Sequence, residues 1–118
     1  MSNLLVTGAI LIPEKELLPG NAVAYVHLLD TSLADAPATI VSSQVIENLA
    51  RVMDKERKIK FALSGQIEDF KANYSVSVHI DVDNDGQISL GDYVNVQSYP
   101  VITFGYPKQV EVKTVKVT

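Results

Sequence analysis

Apolar and polar residues alternate along much of the chain, which is the pattern of half-buried β-strands. In the segment 74–80 every second residue is apolar, and the same pattern recurs over 58–63. A period of two residues places alternate side chains on opposite faces of a strand. The segment 22–29 is largely apolar on both faces, which is typical of a strand in the centre of a sheet. We therefore predict strands in all three segments.

Four further segments complete a pattern of about seven short strands. They lie at 4–12, 38–46, 93–104 and 109–117, and each is rich in β-forming residues. Turn-forming residues separate the strands at fairly regular intervals, as in a β-sandwich. The sequence therefore predicts an all-β fold, a single Ig-like antiparallel β-sandwich domain that spans residues 1–118.

Two places interrupt the alternation. Apolar residues between 45 and 55 have helical spacing, so this segment forms either one short helix or a long polar loop. In the last predicted strand, the valines that precede Thr114 are out of phase with the valines that follow it. A β-bulge near Thr114 would account for this change of phase.

Composition and charge narrow the classes of function. The hydrophobic fraction of 47% is typical of a folded domain and too high for a disordered chain. The net charge is −4 and the one basic cluster is 55–60, which argues against a nucleic-acid partner. The chain has no cysteine, so it has no disulfide, no thiolate metal site and no cysteine nucleophile.

No apolar segment of the sequence is long enough to span a membrane. The first residues carry neither the basic region nor the small-residue cleavage site of a signal peptide. These observations predict a cytoplasmic protein for the chain as written. If a signal was trimmed, we expect a protein of the periplasm or envelope.

The most specific chemical signal is the stretch 81–92, which has the spacing of a calcium loop. Carboxylates occupy loop positions 1, 3 and 5, and a glycine occupies position 6, where the loop turns sharply. Alternate residues of such a loop supply the oxygen ligands that Ca²⁺ prefers. The predicted ligands are the side chains of Asp81, Asp83, Asp85 and Asp92, the backbone carbonyl of Gln87 and, through a water molecule, Ser89.

The loop departs from the motif at its last position, where Asp92 replaces the usual glutamate. A glutamate there binds through both oxygens, whereas the shorter aspartate reaches with one, so we expect a modest affinity and a weak preference over Mg²⁺. A hairpin turn without metal is the alternative, because the segment 83–86 consists of turn-forming residues. Three crowded aspartates would repel one another without a cation, which favours the metal site.

The residues on both sides of the loop predict strands and not the helices of an EF-hand. The segment 74–80 alternates, and 93–99 is rich in β-forming residues and ends before Pro100. A sheet would hold the two ends of the loop in place, with no helix pair to swing open. We therefore expect a structural calcium site and not a sensor.

The segments LPGNAV at 18–23 and HLLDTSLADAP at 27–37 resemble a known signature. They are similar to that of the YbaY-type family of small bacterial proteins, which includes the YscW-type pilot lipoproteins of type III secretion. The resemblance is most specific at 34–37 and extends loosely to Phe61 and Tyr74. It implies a small Ig-like β-sandwich at the bacterial envelope, with a binding or chaperone-like role towards a protein or peptide and no catalysis. The chain departs from the lipoprotein members because it lacks a signal peptide and a lipobox cysteine.

Other polar residues carry weaker signals. The residues around Asp30 and Asp35 fit either a binding loop or ordinary turns, and turns alone explain them. His27 and His79 are the two histidines, and no nucleophile or carboxylate is evidently directed at either. We predict a non-enzymatic protein; the alternative is a small hydrolase that uses the metal site or His79.

Four aromatic residues near the C-terminal end could form an exposed patch for a partner. They are Tyr93, Tyr99, Phe104 and Tyr106. Aromatic side chains bury large areas, so we expect at least two of the four to pack in the core.

Overall fold

The structure is a computed structural model that describes residues 3–13, 18–33 and 35–118. Nine strands and one short helix form in this part of the chain. In chain order they are β1 Asn3–Leu11, β2 Val23–Asp30, β3 Thr39–Ile46, α1 Leu49–Val52, β4 Lys58–Gly65, β5 Tyr74–Asp81, β6 Tyr93–Val94, β7 Pro100–Val101, β8 Gln109–Lys113 and β9 Val115–Lys116. The ambiguous segment near 45–55 therefore contains a single short helix.

The strands form two sheets that face each other in a sandwich-like arrangement. The smaller sheet has the order β4-β1-β8, and the larger has the order β3-β2-β5-β6-β9, with β7 also paired to β5. The predicted all-β fold is confirmed, and β2 has the predicted central place between β3 and β5. The element at 34–37 that carries the resemblance includes Ala34, which lies outside the described residues.

One pairing differs from the antiparallel arrangement expected throughout. β8 runs parallel to β1, with Thr7 opposite Gln109 and Leu11 opposite Lys113. A parallel pair needs a long connection between its strands. Here most of the domain lies between β1 and β8, so the chain can return in the same direction.

The change of phase at Thr114 marks a change of sheet and not the bulge predicted from the sequence. β8 belongs to the smaller sheet, and β9 pairs with β6 in the larger one. Thr114 lies between them and is buried. Its N–H and its hydroxyl both donate to the carbonyl of Leu11, at 3.3 and 2.8 Å. Val112 and Thr114 are buried, whereas both residues of β9 are exposed, so the inward alternation of β8 ends where the chain crosses.

The core lies between the sheets and is built mainly from alternate residues of β1, β2, β4 and β5, four of the five long strands. The largest fully buried apolar side chains among them are Val6, Ile10, Val26, Leu28, Ile59, Leu63, Val76, Val78 and Ile80. Burial of each such side chain contributes about 1.5–3 kcal/mol. The alternation in the sequence therefore predicts the correct inward face of β4 and of β5.

The outer edges of β3 and β4 meet on one side of the sandwich. The side-chain carbonyl of Gln44 on β3 accepts the N–H of Ala62 on β4, at 2.8 Å. The hydroxyl of Ser42 donates to the carbonyl of Ser64, at 2.5 Å. These two side chains satisfy main-chain groups at the outer edge of β4, although β3 and β4 do not pair through a continuous ladder of backbone hydrogen bonds. They close this side of the sandwich.

Gly8 occupies a position in β1 where no side chain fits. A Cβ there would lie against the Val110 carbonyl of the paired strand and 2.7 Å from the ring of Phe61. We predict that Gly8→Ala lowers the free energy of unfolding by about 2 kcal/mol or more, because backbone and a buried ring would have to move. Urea denaturation followed by circular dichroism measures this change.

Gly20→Ala is the matched control, since a Cβ at Gly20 would meet no atom within 4 Å. Its unfolding free energy should stay within about 0.5 kcal/mol of the parent protein. Equal stability of the two variants would contradict the close packing at Gly8.

Candidate functional site

The stretch 81–92 is a loop between β5 and β6, as its neighbours in the sequence predict. The two strands pair directly, with His79 opposite Val94 and Ile80 opposite Tyr93. On its other side β5 pairs with β2 along its whole length. Both ends of the loop are therefore held by a sheet.

Asp81 lies at the end of β5, and its carboxylate organises the first half of the loop. The side chain is fully buried. Its two oxygens accept the backbone N–H groups of Asp85 at 3.2 Å and of Gly86 at 2.8 Å. The turn that brings these groups back requires positive φ angles, 54° at Asn84 and 79° at Gly86. Asparagine and glycine are the residues that tolerate this conformation best.

Asp92 closes the second half of the loop and is also fully buried. Its Oδ1 accepts the N–H of Val82 at 3.0 Å, and its Oδ2 accepts the N–H of Ser89 at 3.1 Å. The Nε2 of His79 donates to the same Oδ2 at 2.8 Å. An ionised carboxylate accepts about four hydrogen bonds. Three are already made within the protein, which leaves Asp92 roughly one free position.

Asp83 and Asp85 are exposed and complete a group of four carboxylates with Asp81 and Asp92. One oxygen from each lies within 4.8 Å of the others. Two ligands that each lie 2.3–2.6 Å from a Ca²⁺ ion are separated by at most about 5 Å. The spacing of the carboxylates therefore fits a single cation.

The two remaining predicted ligands lie on the same loop. The N–H of Gln87 donates to the carboxylate of Asp85 at 2.9 Å, and the hydroxyl of Ser89 donates to it at 3.5 Å. The use of the Gln87 carbonyl and of a water molecule at Ser89 as ligands stays a prediction.

Hydrogen bonds and charge repulsion act on the acidity of the cluster in opposite directions. Desolvation acts to raise the pKa of Asp81, but hydrogen bonds from Gly86 and Asp83 outweigh it, and the pKa is lowered. The pKa of Asp83 is raised, because desolvation and the adjacent carboxylates of Asp81 and Asp85 disfavour its charged form. A proton or a cation at Asp83 would relieve this crowding.

His79 adjoins the loop, as its position in the sequence indicated, but its contact with Asp92 was not predicted. Besides its contact with Asp92, its ring stacks on Tyr25, with ring centres 5.9 Å apart. In the sequence, His79 stands two residues before Asp81, so the two side chains lie on the same face of β5 and next to the loop. Its partner Asp92 could not be found from the alternation of a single strand.

The second histidine lies on the outer face of the larger sheet. The Nδ1 of His27 is 2.7 Å from the hydroxyl of Ser43. Burial, and secondly the electrostatic interaction with the His79 ring, lower the pKa of His27. Neither histidine of the described residues has both a hydroxyl and a carboxylate as hydrogen-bond partners, which a nucleophilic triad requires.

The residues near Asp30 form turns, which is the interpretation that the sequence favoured. The N–H of Ser32 donates to the Asp30 carboxylate at 3.0 Å, and the hydroxyl of Ser32 accepts the N–H of Asn73 at 2.8 Å. Asp35 is exposed. These hydrogen bonds tie one loop to the next.

The aromatic residues divide between core and surface as expected. Tyr93 is buried and Tyr99 packs partly against the core. Phe104 and Tyr106 are exposed. No helix in the described part of the chain has the length and hydropathy needed to cross a membrane.

Comparison with known proteins identifies the kind of protein that this fold belongs to. Residues 1–114 match the family described as type III secretion system lipoprotein chaperone, YscW. A solved structure of an alternative pilotin from the type II secretion system of Vibrio cholerae has a TM-score of 0.80 with this chain. The two sequences are 30% identical, and the alignment covers 100% of this chain and 99% of the other.

No curated protein sequence matches the chain. The comparisons confirm the YscW part of the resemblance, whereas the YbaY-type name and the calcium loop stay predictions. Neither the family nor the solved structure is described as an enzyme. The chain belongs to the YscW family of secretion-system lipoprotein chaperones, with a fold shared by a type II pilotin.

Proposed function

We propose that this chain is a non-enzymatic, chaperone-like module of the bacterial envelope that binds a protein component of a secretion system. We further propose that it binds one Ca²⁺ in the loop 81–92. The observation that supports the protein-binding role is membership of the chaperone family over residues 1–114.

The loop that precedes β8 supports a role in binding another protein. Ile102 has φ 75° and Phe104 has φ 56°, although side chains of this kind rarely adopt positive φ. The N–H of Thr103 donates to the carbonyl of Val101 at 2.9 Å, which makes a tight turn at Ile102. The result is a strained backbone that leaves the ring of Phe104 64% exposed. Strain of this type is often retained where it serves binding.

The four carboxylates of the loop support the calcium site. Two of them, Asp81 and Asp92, are buried and already held by backbone N–H groups. The other two, Asp83 and Asp85, are exposed and can contribute free oxygens. A bound Ca²⁺ supplies the positive charge that offsets the repulsion among them. Because Asp92 is mostly occupied by protein donors, we expect it to offer a single oxygen.

A structural role for the ion follows from the strands on both sides of the loop. The loop shape is held by Asp81 and Asp92 through hydrogen bonds to the backbone. Binding of an ion would therefore stabilise a loop that is already shaped, with little change elsewhere. This agrees with a fixed site and not with a switch.

The calcium proposal predicts a thermal shift. Ca²⁺ at about 100 times its Kd should stabilise the protein by about 2.7 kcal/mol. For a domain of this size the melting temperature should rise by roughly 5 °C or more. Asp83→Ala should abolish the rise, because it removes an exposed ligand that makes little contribution to the metal-free fold. Differential scanning calorimetry with Ca²⁺ and with Mg²⁺ measures both effects.

Asp35→Ala is the matched control, since Asp35 is an exposed aspartate outside the loop. It should retain the full calcium shift. No shift of the parent protein in millimolar Ca²⁺ would exclude the site.

Asp92 should also affect stability in the absence of metal. Asp92→Ala leaves the N–H groups of Val82 and Ser89 and the ring of His79 without their acceptor. Each loss costs about 1–3 kcal/mol, so we predict a decrease of about 3 kcal/mol in unfolding free energy. Urea denaturation in excess chelator separates this effect from calcium binding.

Asp85→Ala is the comparison for this measurement, because Asp85 is exposed and accepts one backbone N–H and one distant hydroxyl. It should lose less than about 1 kcal/mol. If both variants lose equally little, the buried carboxylate of Asp92 does not hold the loop.

The protein-binding role predicts selective capture of a secretion-system protein. The tagged chain should retain such a protein from detergent-solubilised envelopes of the source bacterium, as identified by mass spectrometry. A tagged β-sandwich domain of similar size and net charge from an unrelated protein serves as control. Capture of the same proteins by both baits would contradict the proposal.

A further inference from the structure

The outer edge of β8 carries main-chain groups that the fold leaves open. The N–H of Thr7 donates to the carbonyl of Lys108 at 3.0 Å, and the N–H of Thr114 donates to the carbonyl of Leu11 at 3.3 Å. In a strand, the N–H and C=O of one residue point to the same side, and successive residues alternate. The even-numbered residues of β8 therefore face β1, and Gln109, Glu111 and Lys113 direct their main-chain groups away from it.

One end of this open edge is closed by a side chain. The N–H of Lys113 donates to the hydroxyl of Tyr99 at 2.8 Å, which agrees with the outward direction of the odd-numbered residues. The outward N–H groups of Gln109 and Glu111 have no acceptor among the residues that the structure describes. Both residues are exposed. Two residues of β8 thus offer two donors and two acceptors to a further strand.

On the opposite side of the sandwich, side chains close the edge of a strand. There the side chains of Ser42 and Gln44 satisfy main-chain groups of β4. Proteins usually cover or block strand edges, because an open edge attracts other chains. In the part of the chain that the structure describes, a single side chain, that of Tyr99, blocks the edge of β8 in this way. An edge that stays open, while the edge on the opposite side of the sandwich is closed, is suited to binding another chain.

We propose that the open edge of β8 binds an extended, acidic segment of a partner protein by strand addition. In this mode the main-chain hydrogen bonds supply affinity, and the side chains of the edge select the sequence. The proposal rests on the proposed protein-binding function and adds to it the surface used and the kind of segment bound.

The charges beside the edge favour an acidic segment. The carboxylate of Glu111 is 2.7 Å from the ammonium of Lys58, which also lies 3.2 Å from the carboxylate of Glu56. Glu111 therefore already has a cation beside it, which it shares with Glu56. Lys108 and Lys113 lie at the two ends of the edge, and neither forms an ion pair with a described residue. A segment with carboxylates near both ends would complement them.

A second copy of this chain is a poorer occupant than an acidic segment. Pairing of β8 with β8 of another copy would bring two further lysines to the edge, and the one carboxylate that comes with them, on Glu111, is already 2.7 Å from Lys58 of its own chain. Like charges on neighbouring strands are destabilising. The charge pattern therefore favours a different chain.

Nuclear magnetic resonance of the ¹⁵N-labelled full chain tests the proposal. The probe is the synthetic peptide acetyl-DTVTVE-amide, which alternates in the manner of a strand and carries a carboxylate at each end. At saturation, hydrogen exchange of the Gln109 and Glu111 amides should slow at least tenfold, and both signals should shift. The amides of Val110 and Val112, which face β1, should keep their exchange rates. The peptide acetyl-KTVTVK-amide should have no effect at the same concentration.

Two substitutions at one position separate the main chain from the side chain. Glu111→Pro removes the outward N–H, and proline is tolerated on an edge strand where that group faces solvent. Glu111→Gln keeps the N–H and removes the carboxylate. We expect Glu111→Pro to lose peptide binding and Glu111→Gln to retain it. If Glu111→Pro does not fold, Gln109→Pro removes the other outward N–H and replaces it in the comparison.

Three results would overturn the proposal. The first is equal peptide binding by both variants, and the second is a set of shifts confined to residues away from β8. The third is a concentration-dependent shift of Gln109 and Glu111 without peptide, which would assign the edge to a second copy.

The envelope capture repeated with Glu111→Pro distinguishes this proposal from the proposed function. If the parent chain and Glu111→Gln capture a secretion-system protein and Glu111→Pro does not, the result supports the edge of β8 as the binding surface. Capture by all three keeps the protein-binding function and overturns the edge as its surface. No capture by any of them contradicts the proposed function, and the peptide titration still decides whether the edge accepts an extended segment.

Discussion

The close packing of alternate apolar side chains between the two sheets is the constraint on which the other features depend. At Gly8 this packing is so tight that the ring of Phe61 and the backbone of β8 leave no room for a methyl group. The packing determines which face of each long strand points inward. It also leaves the loops at the ends of the strands, and the strand edges at the sides, as the places where the protein can bind other molecules.

The four carboxylates of the loop 81–92 form a buried pair and an exposed pair. Asp81 and Asp92 are buried, and each accepts two backbone N–H groups, so hydrogen bonds within the protein already shape the loop. Asp83 and Asp85 stay at the surface with their charges close together. In the proposed calcium site, the buried pair would hold the shape of the loop and the exposed pair would supply free oxygens to the ion. His79 links the loop to the outer face of the sheet through Asp92 and Tyr25.

The strand edges on the two sides of the sandwich differ, because one is closed by side chains and the other is largely open. The difference bears on the chaperone-like role that family membership suggests. On one side, the side chains of β3 satisfy main-chain groups of β4. On the other side, the chain crosses between sheets at Thr114, and Tyr99 reaches only one residue of β8. A chaperone must bind another chain without pairing indiscriminately with itself. In the proposed binding mode, a short edge flanked by lysines would meet both requirements, because its length would limit the pairing and its charge would select the partner.

The sequence by itself determined the long strands, the inward faces of β4 and β5 and the spacing of the carboxylates in the loop, because all three depend on residues that are near neighbours in the chain. The single strand predicted over 93–104 was wrong, because only the short strands β6 and β7 form there. The alternation at 58–63 and 74–80 predicted β4 and β5, and the loop 81–92 lies between strands as its flanks indicated. Only the tertiary structure decided the parallel pairing of β1 with β8, the change of sheet at Thr114 and the contact of His79 with Asp92. The contact that holds Thr114 to Leu11 joins residues 103 positions apart. Local periodicity reports which face of a strand is buried, but the partner across an edge depends on how distant strands pack against the shared core.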